Sequence, residues 1–311
     1  MVRLLVFLIL FLVSFIIKAQ DKPAAFLPEL FKDYPNVRDI AIAPDGNKIY
    51  FTVDGLKSKV AVIAFITKQN NGWSKPKTVS FTGNYRDLEP AFSQDGKRLY
   101  FVSNRPAHKD SIQPKDYDIW YVDKIKSGWS KPKNLGQPIN TEADEFYPSL
   151  TKNGTLYFTS ARKGTKGNED IFVSAFKNGQ FQEPISVSGG VNTKYYEFNA
   201  FVDPDERYLI FSSHRPNEGQ GGSDLYISYQ KDGLWQKATL LKNVNSPALD
   251  FCPFVDSKTN KFYFTSQRTQ VKRYYKKRLD IDWFLNMYQK GSMGLNRVYY
   301  INFSDIAKKK Y

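Results

Sequence analysis

FSQDGKRLYFVSNRP, Phe92 to Pro106, decides the fold. Its Asp95-Gly96 pair tolerates the positive φ of a tight hairpin turn, and the aromatic-rich run that follows reads as a strand. The same grammar recurs along the chain: IAPDGNKIYF ends at Phe51, LTKNGTLYF at Phe158, VDPDERYLIF at Phe211 and VDSKTNKFYF at Phe264. A period of about 50 to 57 residues is the signature of a repeat architecture. Each unit then supplies a third strand: VAVIAF (Val60 to Phe65), DIWYV (Asp118 to Val122), DIFVS (Asp170 to Ser174), DLYIS (Asp224 to Ser228) and VYYIN (Val298 to Asn302).

A fourth element follows units one to four. GWSKPK occurs twice, at Gly72 to Lys77 and Gly128 to Lys133, with counterparts starting at Phe181 and Trp235. Its position in the repeat makes it punctuation between strands rather than a ligand motif used twice. Trp129→Ala is accordingly expected to cost roughly 3 to 5 kcal/mol, as for a core aromatic. Unit five ends at its third strand, and Pro28-Glu-Leu-Phe31 resembles the missing outer strand. Five antiparallel four-stranded units closed by an N-terminal outer strand make an all-β, five-bladed β-propeller, whose circular closure hides its sheet edges. A six-bladed ring, the alternative, needs a blade that the repeat does not supply.

The segments PDGNKIYF, QDGKRLYFVSNRP, DYDIWYV and GGSDLYIS resemble the WD40-like repeats of the TolB-type propeller family of exported bacterial proteins, over nearly the whole chain. The resemblance implies a periplasmic or cell-surface binding or scaffold module. The family's namesake has six blades, one more than the repeat gives here.

Residues 1–19 read as a signal peptide: Arg3, an apolar run from Leu4 to Ile17 broken by Ser14, then Lys18-Ala19. No cysteine lies near the expected cut, so lipid attachment there is not expected, and residues 20–311 are expected to form one propeller domain with an insertion at 269–294. Without Arg3 and Lys18 the chain keeps 43 of its 45 basic residues against 31 acidic ones, a net charge of +12. Cys252 is the only cysteine, which excludes an internal disulfide.

Three charged columns repeat. An acidic column holds Asp87, Glu145, Glu197 and Asp250; an arginine column holds Arg105, Arg162, Arg215 and Arg268; an aspartate column opens the third strands at Asp118, Asp170 and Asp224. Recurrence favours structural braces between strands over a ring of ligand contacts, and arginine's planar fork suits bracing. Positions that differ between units are better ligand candidates: Asp39, Glu89, Tyr147, Asn199 and Cys252 two residues beyond the acidic column, His214 and Gln267 after the second strand, and Trp283 in the insertion. The insertion opens with Lys272, Arg273, Lys276, Lys277 and Arg278, and its LDIDWFLNMYQKG run suggests a short helix.

No catalytic residue, metal site or cofactor is expected, since there are two histidines and no phosphate-binding glycine loop. The expected function is binding of a protein or cell-envelope polysaccharide, with no nucleic acid partner and no membrane-spanning segment once the signal is removed, in the periplasm or outside the cell. A glycoside hydrolase using funnel carboxylates among Asp39, Glu89, Glu145 and Glu197 is the alternative.

Overall fold

A computed structural model of the chain describes residues 22–107 and 112–307; segment 1–19, read from sequence as a signal peptide, lies outside the described residues. Five antiparallel sheets follow one another around an axis. Their innermost strands are Asn36–Ile42, Asp87–Phe92, Glu145–Leu150, Tyr196–Val202 and Asp250–Asp256, each paired in hairpin register with the aromatic-rich second strand of its blade. The protein is a five-bladed β-propeller.

Alternation along the second strands builds the core. Side chains of neighbouring strand residues point to opposite sheet faces, so Tyr50 packs toward blade two while Phe51 packs toward blade five. Phe51, Phe101, Phe158, Phe211 and Phe264 are all fully buried. Five apolar layers result, one at each seam between adjacent blades. Burying each such ring contributes about 1.5 to 3 kcal/mol, and the ring of seams replaces a single central core.

GWSKPK is the wedge in these seams. Gly72–Trp73 and Gly128–Trp129 pair with the end of the third strand. In both copies the serine bonds back identically, Thr67 N–H donating to Ser74 Oγ and Asp123 N–H to Ser130 Oγ, each at 3.0 Å. The tryptophan then lies on a tyrosine of the preceding blade: Trp129 Nε1 donates to Tyr50 OH at 3.2 Å, and Trp235 meets Tyr157 edge-on at 6.2 Å. Phe181 joins Tyr100, and Trp73 joins Tyr263, in the corresponding layers. Blade five has no such tryptophan; Phe303 packs there on Tyr208, 5.0 Å between ring centroids.

Trp129 is only half-buried, whereas Trp235 is 8% exposed. The large effect expected for Trp129 from its repeat position therefore belongs to Trp235. Trp235→Ala is expected to lower unfolding free energy by about 3 kcal/mol, and Trp129→Ala by about half as much, as read from denaturant midpoints. Equal losses at the two sites would contradict this difference in burial.

Ring closure differs from the sequence expectation in one respect. The outer strand of blade five is Ala24–Ala25, which pairs with Tyr300 and Tyr299. Pro28–Phe31 forms a one-turn helix instead, with proline in its first turn and Leu27 before it at φ 46. Phe31 from this helix is buried against Phe51, 4.9 Å between centroids.

The insertion holds a helix, Ile281–Gln289, capped by Asp280, whose side chain accepts from Trp283 N–H at 2.7 Å. Met287 is buried, and Thr269 Oγ1 donates to the Ser292 carbonyl, joining the two ends of the insertion. Among the described residues no helix is long and apolar enough to cross a membrane.

Candidate functional site

Every innermost strand carries a β-bulge at the same place, where its register with the second strand shifts. The extra residue takes a left-handed conformation at Asp39 (φ 59), Glu89 (φ 56), Tyr147 (φ 51), Asn199 (φ 48) and Cys252 (φ 52). Non-glycine residues adopt this conformation at a cost of about 1 kcal/mol or more. Bonds between blades hold it here. Asp39 N–H donates to Thr265 Oγ1 at 3.3 Å, Glu89 N–H to Thr52 at 3.1 Å and Asn199 N–H to Thr159 at 3.0 Å. Blade two has Val102 where the others have a hydroxyl, and Tyr147 N–H donates instead to Glu89 Oε2 at 2.7 Å.

The bulges turn their side chains together into one buried cluster. Arg38 Nε donates to Asp39 Oδ1 at 2.6 Å, and Arg38 Nη2 to Glu89 Oε1 at 2.7 Å. Cys252 Sγ donates to the same Asp39 oxygen at 2.7 Å and approaches Asn199 Oδ1 at 3.4 Å. Tyr147 OH donates to the Pro253 carbonyl at 2.9 Å.

One guanidinium thus serves two carboxyl groups. Burial, helped by Asp39 and opposed by Arg38, pushes the Glu89 carboxyl up to about 7. Burial and then Asp39 push the Cys252 thiol well up, which keeps it a donor. Burial works against the Arg38 charge, but the neighbouring acids, Asp39 first, more than offset it and hold the guanidinium protonated. Asp39, Glu89 and Cys252 offer donor atoms within 4.8 Å of one another, a spacing a metal ion can bridge. Arg38 already supplies the positive charge there.

Above the cluster a cavity of about 340 Å³ opens on the axis. Its rim repeats the strand position just before each bulge: Arg38, Leu88, Phe146, Phe198 and Phe251. Tyr117, Leu249, Arg86 and Glu169, with Ser58 and Thr159, complete the lining, and Glu89 and Asn199 reach its floor. Arg38 lies over the Phe251 ring at 5.0 Å. Arg86 is tied to Asp54 at 3.3 Å and to Tyr117 OH at 2.5 Å. Burial, then Asp144, raises the Glu169 carboxyl above its usual range. No residue of 269–294 lines this mouth.

Of the ligand candidates read from sequence, Asp39, Glu89, Tyr147 and Asn199 converge with Cys252 at the axis. His214 is exposed at the end of its strand, its Nδ1 against the Gly222 carbonyl. Gln267 Nε2 donates to Asn296 at 3.0 Å, and Trp283 meets Tyr275 edge-on at 5.0 Å. None of these three lines the mouth. Sequence reasoning missed Arg38, Phe146, Phe198 and Phe251, although they share one repeat position between the acidic column and the bulge.

The arginine column meets the acidic column in all four blades: Arg105 with Asp87 at 2.5 Å, Arg162 with Glu145 at 3.1 Å, Arg215 with Glu197 at 3.4 Å and Arg268 with Asp250 at 3.0 Å. Each arginine also donates to a carbonyl and lies over aromatic rings of its own blade. The aspartates opening the third strands bind elsewhere. Asp118 accepts from Asn134 and Asp170 from Ser186, while Asp224 accepts backbone N–H groups of Gln220 and Gly221.

No family model matches the chain, and no curated protein matches it. Among solved structures it is similar to TolB from Acinetobacter baumannii, with 16% identity, 86% of this chain and 54% of that chain covered, and a TM-score of 0.49. It is similar to the putative TolB from Agrobacterium tumefaciens, with 15% identity, 85% and 90% covered and a TM-score of 0.47. It is also similar to alpha-L-arabinofuranosidase from Lactobacillus brevis, with 15% identity, 90% and 99% covered and a TM-score of 0.48. The chain spans about half the length of the A. baumannii protein. One propeller architecture serves unrelated activities, so these similarities leave function to be argued from the site. The chain is a β-propeller module resembling TolB-type propellers.

Proposed function

We propose that the protein is an exported, non-enzymatic binding or scaffold module that takes a projecting group of a protein or envelope glycan into its axial mouth. Export rests on the character of residues 1–19. The observation that carries the binding reading is the composition of the mouth: Phe146, Phe198, Phe251 and Tyr117 wall a cavity whose floor presents Glu89 and Asn199. Aromatic walls with a few convergent polar groups suit a sugar ring or a peptide side chain, the apolar surface supplying affinity and the polar floor orientation.

Hydrolysis of a glycosidic bond needs two carboxyl groups facing one ligand, about 5 to 10 Å apart. Of the four acids considered from sequence, Glu145 and Glu197 are buried against Arg162 and Arg215, and Asp39 is absent from the mouth lining. Glu89 alone of the four faces the cavity, which counts against the carboxylate set read from sequence; Glu169, the other carboxyl in the wall, makes Glu89 and Glu169 the pair that a hydrolase would have to use.

The test is a glycan array together with a pull-down from envelope extract, repeated with Phe146→Ala/Phe198→Ala. Binding in one of the two assays, weakened at least roughly tenfold by the double variant as for a contact hot spot, is the expected result. Silence of the folded protein in both assays rejects the reading. Release of reducing sugar, abolished by Glu89→Gln, supports the hydrolase instead.

A further inference from the structure

The helix Ile281–Gln289 turns its apolar side away from the propeller. Ile281, Phe284 and Leu285, at i, i+3 and i+4, share one helix face and are 68%, 48% and 49% exposed. Met287 projects from a different side and is buried. Trp283 meets Tyr275 edge-on and ties the preceding stretch to the helix. That stretch carries Lys272, Arg273, Lys276, Lys277 and Arg278, all exposed, with exposed Tyr274 and Leu279 among them. Across 269–294, six Lys and Arg against Asp280 and Asp282 leave a charge of +4.

From this juxtaposition we propose that the blade-five insertion is a peripheral docking surface for an anionic lipid bilayer. An apolar helix face alone fits many partners, and a basic run alone fits any polyanion. A bilayer surface offers both needed contacts in the right order, anionic headgroups above hydrocarbon that accepts side chains a few ångströms deep. The helix lies in the interface, its apolar face down, with the five cations beside it among the headgroups. The propeller is thereby held at a membrane through this surface. The proposal is independent of what enters the axial mouth, since no insertion residue lines it.

The test uses an environment-sensitive fluorophore on Leu285→Cys in the full chain, where Cys252 is buried and shielded from labelling. Vesicles of equal parts phosphatidylglycerol and phosphatidylcholine should shift its emission to the blue, and pure phosphatidylcholine should not. The same probe on Asn286→Cys, off the apolar face, should stay in water. Replacing the five cations by Gln should weaken partitioning at least roughly tenfold, and added salt should act in the same direction. Two results overturn the proposal: no blue shift at Leu285→Cys with anionic vesicles, or binding that falls with the Gln variant yet is indifferent to Ile281→Ser/Phe284→Ser. The latter marks a site for a soluble polyanion.

Discussion

Arg38→Met should destabilise the propeller by roughly 3 to 5 kcal/mol near neutral pH, the range for removing one partner from a buried ion pair. Arg38 is the sole guanidinium against both Asp39 and Glu89, and its side chain is 15% exposed. Methionine keeps much of the volume and removes the charge, so the loss is electrostatic rather than steric. It should depend on pH in a defined direction. The Glu89 carboxyl is raised from 4.5 to about 7 in the folded protein. A raised carboxyl favours folding when protonated: its contribution is complete below about 4.5 and is lost as pH climbs through about 7, at about 1.4 kcal/mol per pH unit. Arg38 is the group that lowers it most. Removing Arg38 therefore extends the window upward, and the variant's deficit should be smaller at about pH 5 than at about pH 8. Glu89→Gln added to Arg38→Met should recover much of the deficit and flatten its pH dependence. Urea unfolding of the wild type, Arg38→Met and the double variant at both pH values measures this, and an equal deficit at both excludes the argument from the Glu89 charge.

Arg38 also marks the boundary of what could be read from the sequence. The ring of blades was legible because each unit repeats a turn, an aromatic-rich second strand ending in a buried phenylalanine, and a third strand, and these specify the same seams five times over. Positions that vary within the repeat were legible as a column, and Asp39, Glu89, Tyr147 and Asn199 do meet at the axis. Their left-handed backbone was not, because nothing in residues of such different kinds signals positive φ; threonine hydroxyls of the preceding blade hold it at Asp39, Glu89 and Asn199, and the Glu89 carboxyl holds it at Tyr147. Arg38 stands where other blades have Leu88 or phenylalanine, and a departure from a repeat gives no hint of what it contacts. The closing strand was displaced for a related reason. Ala24–Ala25 has no pattern to detect, whereas Pro28-Glu-Leu-Phe31 imitates an outer strand until Leu27 turns left-handed and proline starts a helical turn.

Blade one contains a natural experiment on the braces, and it sharpens the second large effect. Where blades two to five carry an acid, a serine and an arginine, blade one carries Val37, Val53 and Gly55. All three members of the brace are missing together. This is the pattern expected if a buried carboxylate is tolerable only with its partners, since an uncompensated buried charge costs more than apolar replacement of the whole set. Arg215→Ala should therefore cost roughly 3 to 5 kcal/mol. It strips Glu197, which is 0% exposed, of its cation, leaves the Val191 carbonyl without that donor, and removes the guanidinium lying 4.4 Å from the Tyr226 ring. Thr193 and Ser213 still donate to Glu197, but neither carries charge. Transplanting the blade-one solution, Glu197→Val/Ser213→Val/Arg215→Gly, should cost less than Arg215→Ala alone despite changing three buried side chains, because the stranded charge goes with its partner. Such non-additivity is the mark of groups that act as one unit. Denaturant midpoints of the single and triple variants decide it; a triple variant at least as unstable as the single one would mean that the arginine acts through packing, and that its recurrence in four blades says nothing about charge.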